Sequence, residues 1–158
     1  MTNNFIHLNL HSQYSIVDST IRIPQLMKEC IKNSMPAITL TDQNNVFGMV
    51  KFYRKALEYG IKPIIGTDIF LADEDDATRC DRITLLCANN NGYQNLTQLI
   101  TRAWLDGQKR HGPRLHKSWF NKENSKGLIA LSAGLKGDIG RSLMNEHHDL
   151  ASRQLDSW

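Results

Sequence analysis

The sequence predicts an α/β fold in which mostly parallel strands alternate with helices. Short apolar runs recur along the chain, segments with apolar residues at helical spacing separate them, and turn-forming residues lie at the boundaries. Strands that alternate with helices of about 10–15 residues are typical of βαβ units. An open doubly wound sheet and an incomplete barrel both fit this order of elements.

Four or five strands are predicted from runs of apolar and β-branched side chains. The first run differs from the others, because apolar and polar residues alternate along it and Phe5, His7 and Asn9 share one side. The later runs are short and predict buried strands. The predicted strands comprise residues 5–10, 36–41, 62–66 with an extension to 72, 83–88 and 127–132.

Helices are predicted between these strands. Pro24 suits the first turn of a helix, because it lacks the amide that would be unpaired there. Gly60 suits the position just after a helix, where the backbone is often left-handed. A short helix is predicted around residues 119–120, and a final helix from residue 138 to 150. The apolar residues that mark the three longer helices are Leu26, Met27, Cys30 and Ile31; Val46, Val50, Phe52, Tyr53, Ala56 and Leu57; and Tyr93, Leu96, Leu99, Ile100, Ala103 and Trp104.

Composition places the chain among single-domain globular proteins. Its 158 residues can bury a core, and a net charge of +3 is too small to indicate nucleic-acid binding by itself. The sequence contains no apolar run near the roughly 18 residues of a membrane span, and its first residues do not resemble a secretory signal. Three cysteines without metal-ligand spacing predict reduced thiols and a cytoplasmic location.

Two charged segments stand out. Residues 73–76 are all acidic and predict a solvated loop. Residues 106–115 are basic and contain Lys109, Arg110, His111 and Arg114. A solvated loop is favoured for this segment as well, and contact with phosphate is the alternative.

Polar side chains follow the carboxyl ends of several predicted strands. These ends converge on one face of such folds, where chemistry usually takes place. Imidazoles and carboxylates there could hold metal ions that activate water for phosphoester hydrolysis. The other interpretation is that they cap turns and helix N-termini. The residues concerned are His11, Asp18, Asp42, Gln43 and Asp68.

Motifs along nearly the whole chain resemble, in order, the PHP (polymerase and histidinol phosphatase) domain at the start of bacterial replicative DNA polymerase III alpha subunits. The resemblance implies a distorted barrel of seven strand–helix units, of which this chain would be the N-terminal portion. The motifs are residues 7–15 (HLNLHSQYS), 40–48 (LTDQNNVFG), 60–68 (GIKPIIGTD), 85–96 (LLCANNNGYQNL), 127–132 (GLIALS) and 137–143 (GDIGRSL).

The resemblance also assigns metal-ligand positions, and three of them are substituted. Asn9 replaces the first residue of a His-x-His pair, Gln43 ends a Thr-Asp-His motif, and Arg82 stands where a further histidine is expected. Amides are poor ligands for zinc or manganese, and a guanidinium repels cations. A zinc or manganese cluster is therefore not expected, no cofactor is expected to be required, and a residual magnesium site is the alternative. Ligand-type side chains remain at His11, Asp18, Asp42 and Asp68, the last in place of the usual glutamate.

Substituted PHP domains of this kind occur in polymerases that use a separate proofreading exonuclease subunit. The resemblance therefore implies a non-catalytic scaffold that docks this exonuclease, beside other polymerase III holoenzyme subunits, with DNA bound by the parent polypeptide and no membrane contact. A metal-dependent phosphoesterase, either a pyrophosphatase or a 3′–5′ exonuclease, is the enzymatic alternative. Direct DNA contact through the basic segment is the third.

The resemblance carries one further expectation, about the extent of the domain. Later family motifs would lie beyond residue 158, together with the palm carboxylates that nucleotidyl transfer needs. The chain is therefore expected to be an incomplete PHP domain without polymerase activity. Uncovered strand edges would favour self-association.

Overall fold

The computed structural model describes residues 5–72, 80–109 and 112–158, which form a four-stranded sheet with helices packed against it. The strand order is β1, β2, β3, β6, and a separate two-stranded ribbon joins β4 and β5. The strands are β1 (Ala37–Leu40), β2 (Lys62–Ala72), β3 (Cys80–Cys87), β4 (Gln108–Lys109), β5 (Gly112–Pro113) and β6 (Leu128–Ser132). The helices are α1 (Ile23–Lys32), α2 (Met49–Glu58), α3 (Asn90–Asp106), α4 (Asp138–Met144) and α5 (His148–Asp156).

The predicted α/β class is confirmed, but the strand directions are more mixed than the sequence indicates. In this part of the chain β1 and β2 pair in parallel, whereas β3 pairs antiparallel with both β2 and β6. The short connection between β2 and β3 explains why these two strands pair antiparallel. Only residues 73–79 separate β2 from β3, and a parallel connection needs a crossover of about a dozen residues or more.

The segment 5–10 lies beside β1 without forming a regular strand, so the predicted first strand is wrong. Its end is held by the Thr41 amide, which donates to the Leu10 carbonyl at 2.8 Å. Phe5 and Leu8 are 56% and 44% exposed. An alternating pattern stabilises a strand when one of its faces is buried along its length. Here the burial is partial, because Leu10 packs against the core of α1, α2 and β1 whereas Leu8 on the same side is exposed.

Local chemistry explains one end of each of the first three helices. Pro24 lies in the first turn of α1, and Gly60 follows α2 with a φ of +67°. The Asn89 side chain caps α3 by accepting a hydrogen bond from the Gly92 amide at 3.0 Å. Such caps contribute about 1 kcal/mol each, because they pair amides that the helix leaves free.

The predicted final helix is two helices, α4 and α5. The chain turns at Glu146, whose φ is +61°, and the His147 amide closes the turn by donating to the Ser142 carbonyl at 2.9 Å. Glycine and asparagine usually mark a left-handed residue after a helix. A glutamate there gives no such indication in the sequence.

Two apolar clusters hold the elements together, and the sheet connects them. Burying a large apolar side chain such as leucine, isoleucine or phenylalanine contributes about 1.5–3 kcal/mol. The first cluster joins α1, α2 and β1 through Ile23, Met27, Cys30, Ile38, Leu40, Phe52, Ala56 and Ile61. The second joins β2, β3 and α3 through Ile69, Leu71, Ile83, Leu85, Leu96, Leu99, Ile100, Ala103 and Leu115.

The cysteines are free thiols, as the sequence predicts. Cys30 is buried in the first cluster and Cys87 packs against the second. Burial raises the pKa of the Cys87 thiol to about 11. Cys87 is therefore a weak nucleophile at neutral pH, where the thiol form dominates. Within the described ranges, none of the helices combines the length and the apolar character needed to cross a bilayer.

Candidate functional site

A polar cluster is centred on the carboxylate of Asp68, in the middle of β2. Asp68 lies opposite Thr84 of β3, and its backbone also bridges to Gln43 in the loop after β1. The side chain is 3% exposed. Its Oδ1 accepts from Asn9 Nδ2 at 2.7 Å and from the Thr84 hydroxyl at 2.5 Å, and its Oδ2 contacts His11 Nε2 at 2.8 Å. Every one of these contacts favours the ionised carboxylate.

His11 lies between two carboxylates. Its Nε2 contacts Asp68, and its Nδ1 contacts Asp18. Burial by itself would lower the pKa of His11, but the hydrogen bonds to Asp68 and Asp18 and their negative charges outweigh that effect and raise it above the ordinary 6.5. A ring that donates from both nitrogens is an imidazolium. In this arrangement the imidazole has no lone pair to offer a metal.

The two carboxylates are shifted in the opposite direction. Burial would raise the pKa of Asp68, but hydrogen bonds from His11, Thr84 and Asn9 outweigh it and lower the pKa below 3.8. The hydrogen bond from His11 is the main cause of the lowered pKa of Asp18, and the positive charges of Arg82 and Lys136 add to it. All three shifts therefore favour the ionised Asp18–His11–Asp68 arrangement.

These pKa shifts predict how stability depends on pH. The raised pKa of His11 contributes stability that is fully present below pH 6.5 and is lost as the pH rises through the folded-state value. The lowered pKa values of Asp18 and Asp68 contribute stability that is present above pH 3.8 and is lost as the pH falls through their folded-state values. We expect the cluster to stabilise the fold most at mildly acidic pH.

The measurement is urea unfolding of the natural chain and of His11→Gln, from about pH 5 to about pH 9. The difference in free energy of unfolding between the two proteins should shrink as the pH rises, because His11 loses its proton. The other histidines are common to both proteins, so their effects cancel. A difference that stays constant over this range would contradict the charged arrangement.

The carboxylate of Asp42 holds the loop that contains Ser12 and Ser15. It is 1% exposed, and its Oδ1 accepts from the Ser12 amide at 2.7 Å and the Ser15 hydroxyl at 2.6 Å. Its Oδ2 accepts from the Ser12 hydroxyl at 2.7 Å. In turn, the Gln43 amide donates to the Ser15 hydroxyl at 3.0 Å. The interpretation of Asp42 as a turn-capping residue therefore fits its contacts better than a ligand role.

The three substituted positions surround Asp68. Asn9 bonds to Asp68 and also donates to the Thr84 hydroxyl at 3.0 Å. Position 43 bridges to Asp68 through the backbone. Arg82 lies two residues before Thr84 on β3, so both side chains share a face of the sheet. Its guanidinium lies 4.8 Å from the centre of the Phe70 ring.

The structure thus brings the side chains of His11, Asp18 and Asp68 together. The Asp42 side chain binds Ser12 and Ser15, and its backbone carbonyl accepts from the Asp68 amide at 3.3 Å. Sequence reasoning did not find Thr84, which completes the hydrogen bonding of Asp68. A threonine in an apolar strand resembles any other strand residue. Only the β2–β3 register, which depends on tertiary structure, places it opposite Asp68.

Arg114 differs from the solvated loop that is favoured for the basic segment. It is 3% exposed, so its side chain is neither solvated nor open to a phosphate. The neighbouring Leu115 exchanges backbone hydrogen bonds with β2, because its amide donates to Phe70 and its carbonyl accepts from Ala72, both at 2.8 Å. This pairing draws Arg114 into the interior. The Lys109 side chain, Arg110, His111 and the acidic residues 73–76 lie outside the described residues.

The residues present do not fit a family-type zinc or manganese cluster. Across the ranges that the structure describes, no group of three or more His, Cys, Asp and Glu side chains has an arrangement that could hold a metal ion. His11 binds carboxylates through both nitrogens, Asn9 offers an amide, and Arg82 adds a fixed charge. Amides and guanidinium groups do not replace imidazole as ligands of these metals.

The fold and the site define an α/β domain with a hydrogen-bonded polar cluster centred on Asp68. The family model described as "PHP domain" matches residues 7–158, and the chain belongs to this family. It is 42% identical over 158 residues to the DNA polymerase III subunit alpha of Pseudomonas aeruginosa, covering 100% of this chain and 13% of the relative. It is 43% identical over 154 residues to the subunit of the same name from Vibrio cholerae, covering 98% of this chain and 13% of the relative.

A solved amidohydrolase structure from Chromobacterium violaceum also resembles this chain. It matches with a TM-score of 0.49 at 16% sequence identity, over 62% of this chain and 32% of that one. The chain spans about 13% of the length of the two curated relatives described above.

Proposed function

We propose that this PHP domain is a non-catalytic scaffold within a bacterial replicative polymerase, and that it docks the proofreading exonuclease subunit. The similarity to alpha subunits over the full chain supports its place in that polymerase. One observation supports the proposal that the scaffold is non-catalytic. The acceptor atoms of Asp68 and both nitrogens of His11 already bind protein groups, which supports a cluster that is closed to metal ions.

The closed cluster then has a structural role. It ties the segment that contains Asn9 and His11 to β2 and β3, across sequence separations to Asp68 of 59 and 57 residues, respectively. Charged hydrogen bonds of this kind contribute about 1.5–3 kcal/mol each when they are well formed. A rigid surface around them suits a domain that positions another subunit, since preorganised surfaces lose less entropy on binding.

The test of docking uses the full-length polypeptide that contains this chain and the purified proofreading exonuclease from the same organism. We expect the two to co-elute in size-exclusion chromatography, and a matched polypeptide that lacks residues 1–158 to lose the complex. If the shortened polypeptide retained the complex, this domain would not be the docking site.

A metal-dependent phosphoesterase is the second candidate, because His11, Asp18 and Asp68 do converge on one face. Hydrolysis of a phosphodiester that requires added Mg²⁺ or Mn²⁺, and that Asp68→Asn abolishes, would favour this function over the scaffold. We expect no such activity. Asp106→Asn on the surface of α3 is the control, because it shows whether any carboxylate substitution lowers the hydrolytic activity.

A further inference from the structure

Helix α2 carries apolar residues on two faces. Phe52 and Ala56 are fully buried against the sheet, whereas Val50, Tyr53 and Leu57 are 60%, 45% and 58% exposed. Residues separated by three, four and seven positions lie on one face of a helix. These three side chains therefore form a continuous apolar row that faces away from the core, which we call the α2 stripe.

The stripe continues into a groove. A cleft of about 360 Å³ borders α2, and Tyr53 belongs to both the cleft and the stripe. Isolated exposed apolar residues are normal on a protein surface, but a contiguous row beside an apolar cleft marks a contact surface. The lining is mainly apolar, through Met49, Tyr53, Pro63 and Ile65, and it also contains Asn89 and Asn90.

The charges around the stripe are positive. Exposed Lys51 and Arg54 lie on α2, and on a helical projection both fall on the side of the stripe opposite the groove. Lys55 forms an ion pair with Glu58. Three basic side chains and one acidic side chain give α2 a net charge of +2. A basic border of this kind favours a partner with carboxylates beside its apolar residues.

The dimensions indicate the kind of partner. Residues 50–57 span about two turns, or roughly 10 Å at 1.5 Å per residue. That length suits a single amphipathic segment laid along a groove, with its side chains as anchors, rather than a broad globular face.

We propose that the α2 stripe and its groove bind an amphipathic segment of the proofreading subunit, in which an apolar row is flanked by aspartates or glutamates. This inference rests on the proposed docking function and adds the place and the chemistry of the contact. The apolar row covers Val50, Tyr53 and Leu57, and the carboxylates pair with Lys51 and Arg54.

The experiment measures the dissociation constant between the full-length polypeptide and the purified proofreading subunit by biolayer interferometry. Val50→Glu and Leu57→Glu, separately and together, place carboxylates in the apolar contact and repel an acidic segment. We expect the double variant to bind at least about tenfold more weakly. Lys51→Glu with Arg54→Glu should weaken binding and remove most of its salt dependence.

Leu105→Glu is the matched control, because Leu105 is 76% exposed and lies near the far end of α3. It should bind as the natural polypeptide does. All of the substituted residues are exposed, so melting temperatures should stay unchanged.

The outcomes separate the two proposals. If the natural polypeptide binds the subunit and Val50→Glu with Leu57→Glu binds equally well, docking stands and its assignment to the α2 stripe is overturned. If the natural polypeptide does not bind, docking itself is overturned. A fall in melting temperature of the stripe variants without weaker binding would mean that the polypeptide's own chain covers the stripe, which also overturns the assignment.

Discussion

Replacement of Asp42 by alanine is expected to lower the free energy of unfolding by about 3–5 kcal/mol. The carboxylate is buried and accepts three hydrogen bonds from the loop that contains Ser12 and Ser15. Alanine leaves three donors without this partner, and each buried donor that loses its acceptor costs about 1–3 kcal/mol. Since a small domain is stable by only about 5–15 kcal/mol, this single change should be severe.

Urea unfolding monitored by tryptophan fluorescence measures the effect. Asp106→Ala is the control, because its carboxylate is exposed and lies 3.8 Å from Arg102 in a surface ion pair. That pair should contribute about 1 kcal/mol or less. Equal losses for Asp42→Ala and Asp106→Ala would refute the organising role of Asp42.

Asp42→Asn should be much milder than Asp42→Ala. Its amide oxygen can still accept from the Ser12 amide and the Ser15 hydroxyl, and its NH₂ can donate to Ser12 Oγ if that hydroxyl rotates. We expect a loss of roughly 1 kcal/mol from the change of a charged acceptor to a neutral one. A loss as large as that of alanine would show that the negative charge, rather than the geometry, holds the loop.

The first three helices were predictable because their information is local. Pro24 and Gly60 act within a few residues, and the structure uses both of them. The segment 5–10 was not predictable in this way, since an alternating pattern requires a buried face that the sequence cannot guarantee. For α2, the periodicity marks the helix, but only packing shows that Phe52 faces the core and Val50 faces solvent.

The site was predictable as a list of residues and less so as an arrangement. Strand-end reasoning named His11, Asp18 and Asp68, and the structure brings them together. It also named Asp42, whose carboxylate accepts hydrogen bonds from Ser12 and Ser15. The difference lies in the hydrogen-bond partners, since Asp42 and Asp68 are both buried. Carboxylates that bind metal and carboxylates that cap a turn are the same residue type, and only their tertiary contacts distinguish them.

Restoring histidines at positions 9, 43 and 82 is expected to create a zinc site. All three positions adjoin Asp68 or share its face of the sheet. The triple variant adds three imidazoles to His11 and Asp68 and removes the positive charge of Arg82. Nitrogen ligands bind Zn²⁺ far better than amides do. We expect the dissociation constant for Zn²⁺ to fall by at least about 100-fold relative to the natural chain.

Isothermal titration calorimetry at about pH 8 measures this affinity, because the proton on His11 competes with the metal below its raised pKa. The matched control carries Asn9→Gln, Gln43→Asn and Arg82→Gln, which remove the same charge without adding imidazole. If control and histidine variant bind Zn²⁺ equally, loss of the arginine charge alone explains the gain. If neither binds, the Asp18–His11–Asp68 arrangement is too stable for a metal to displace its proton, and the cluster is a structural element in its own right rather than a metal site that lacks its ligands.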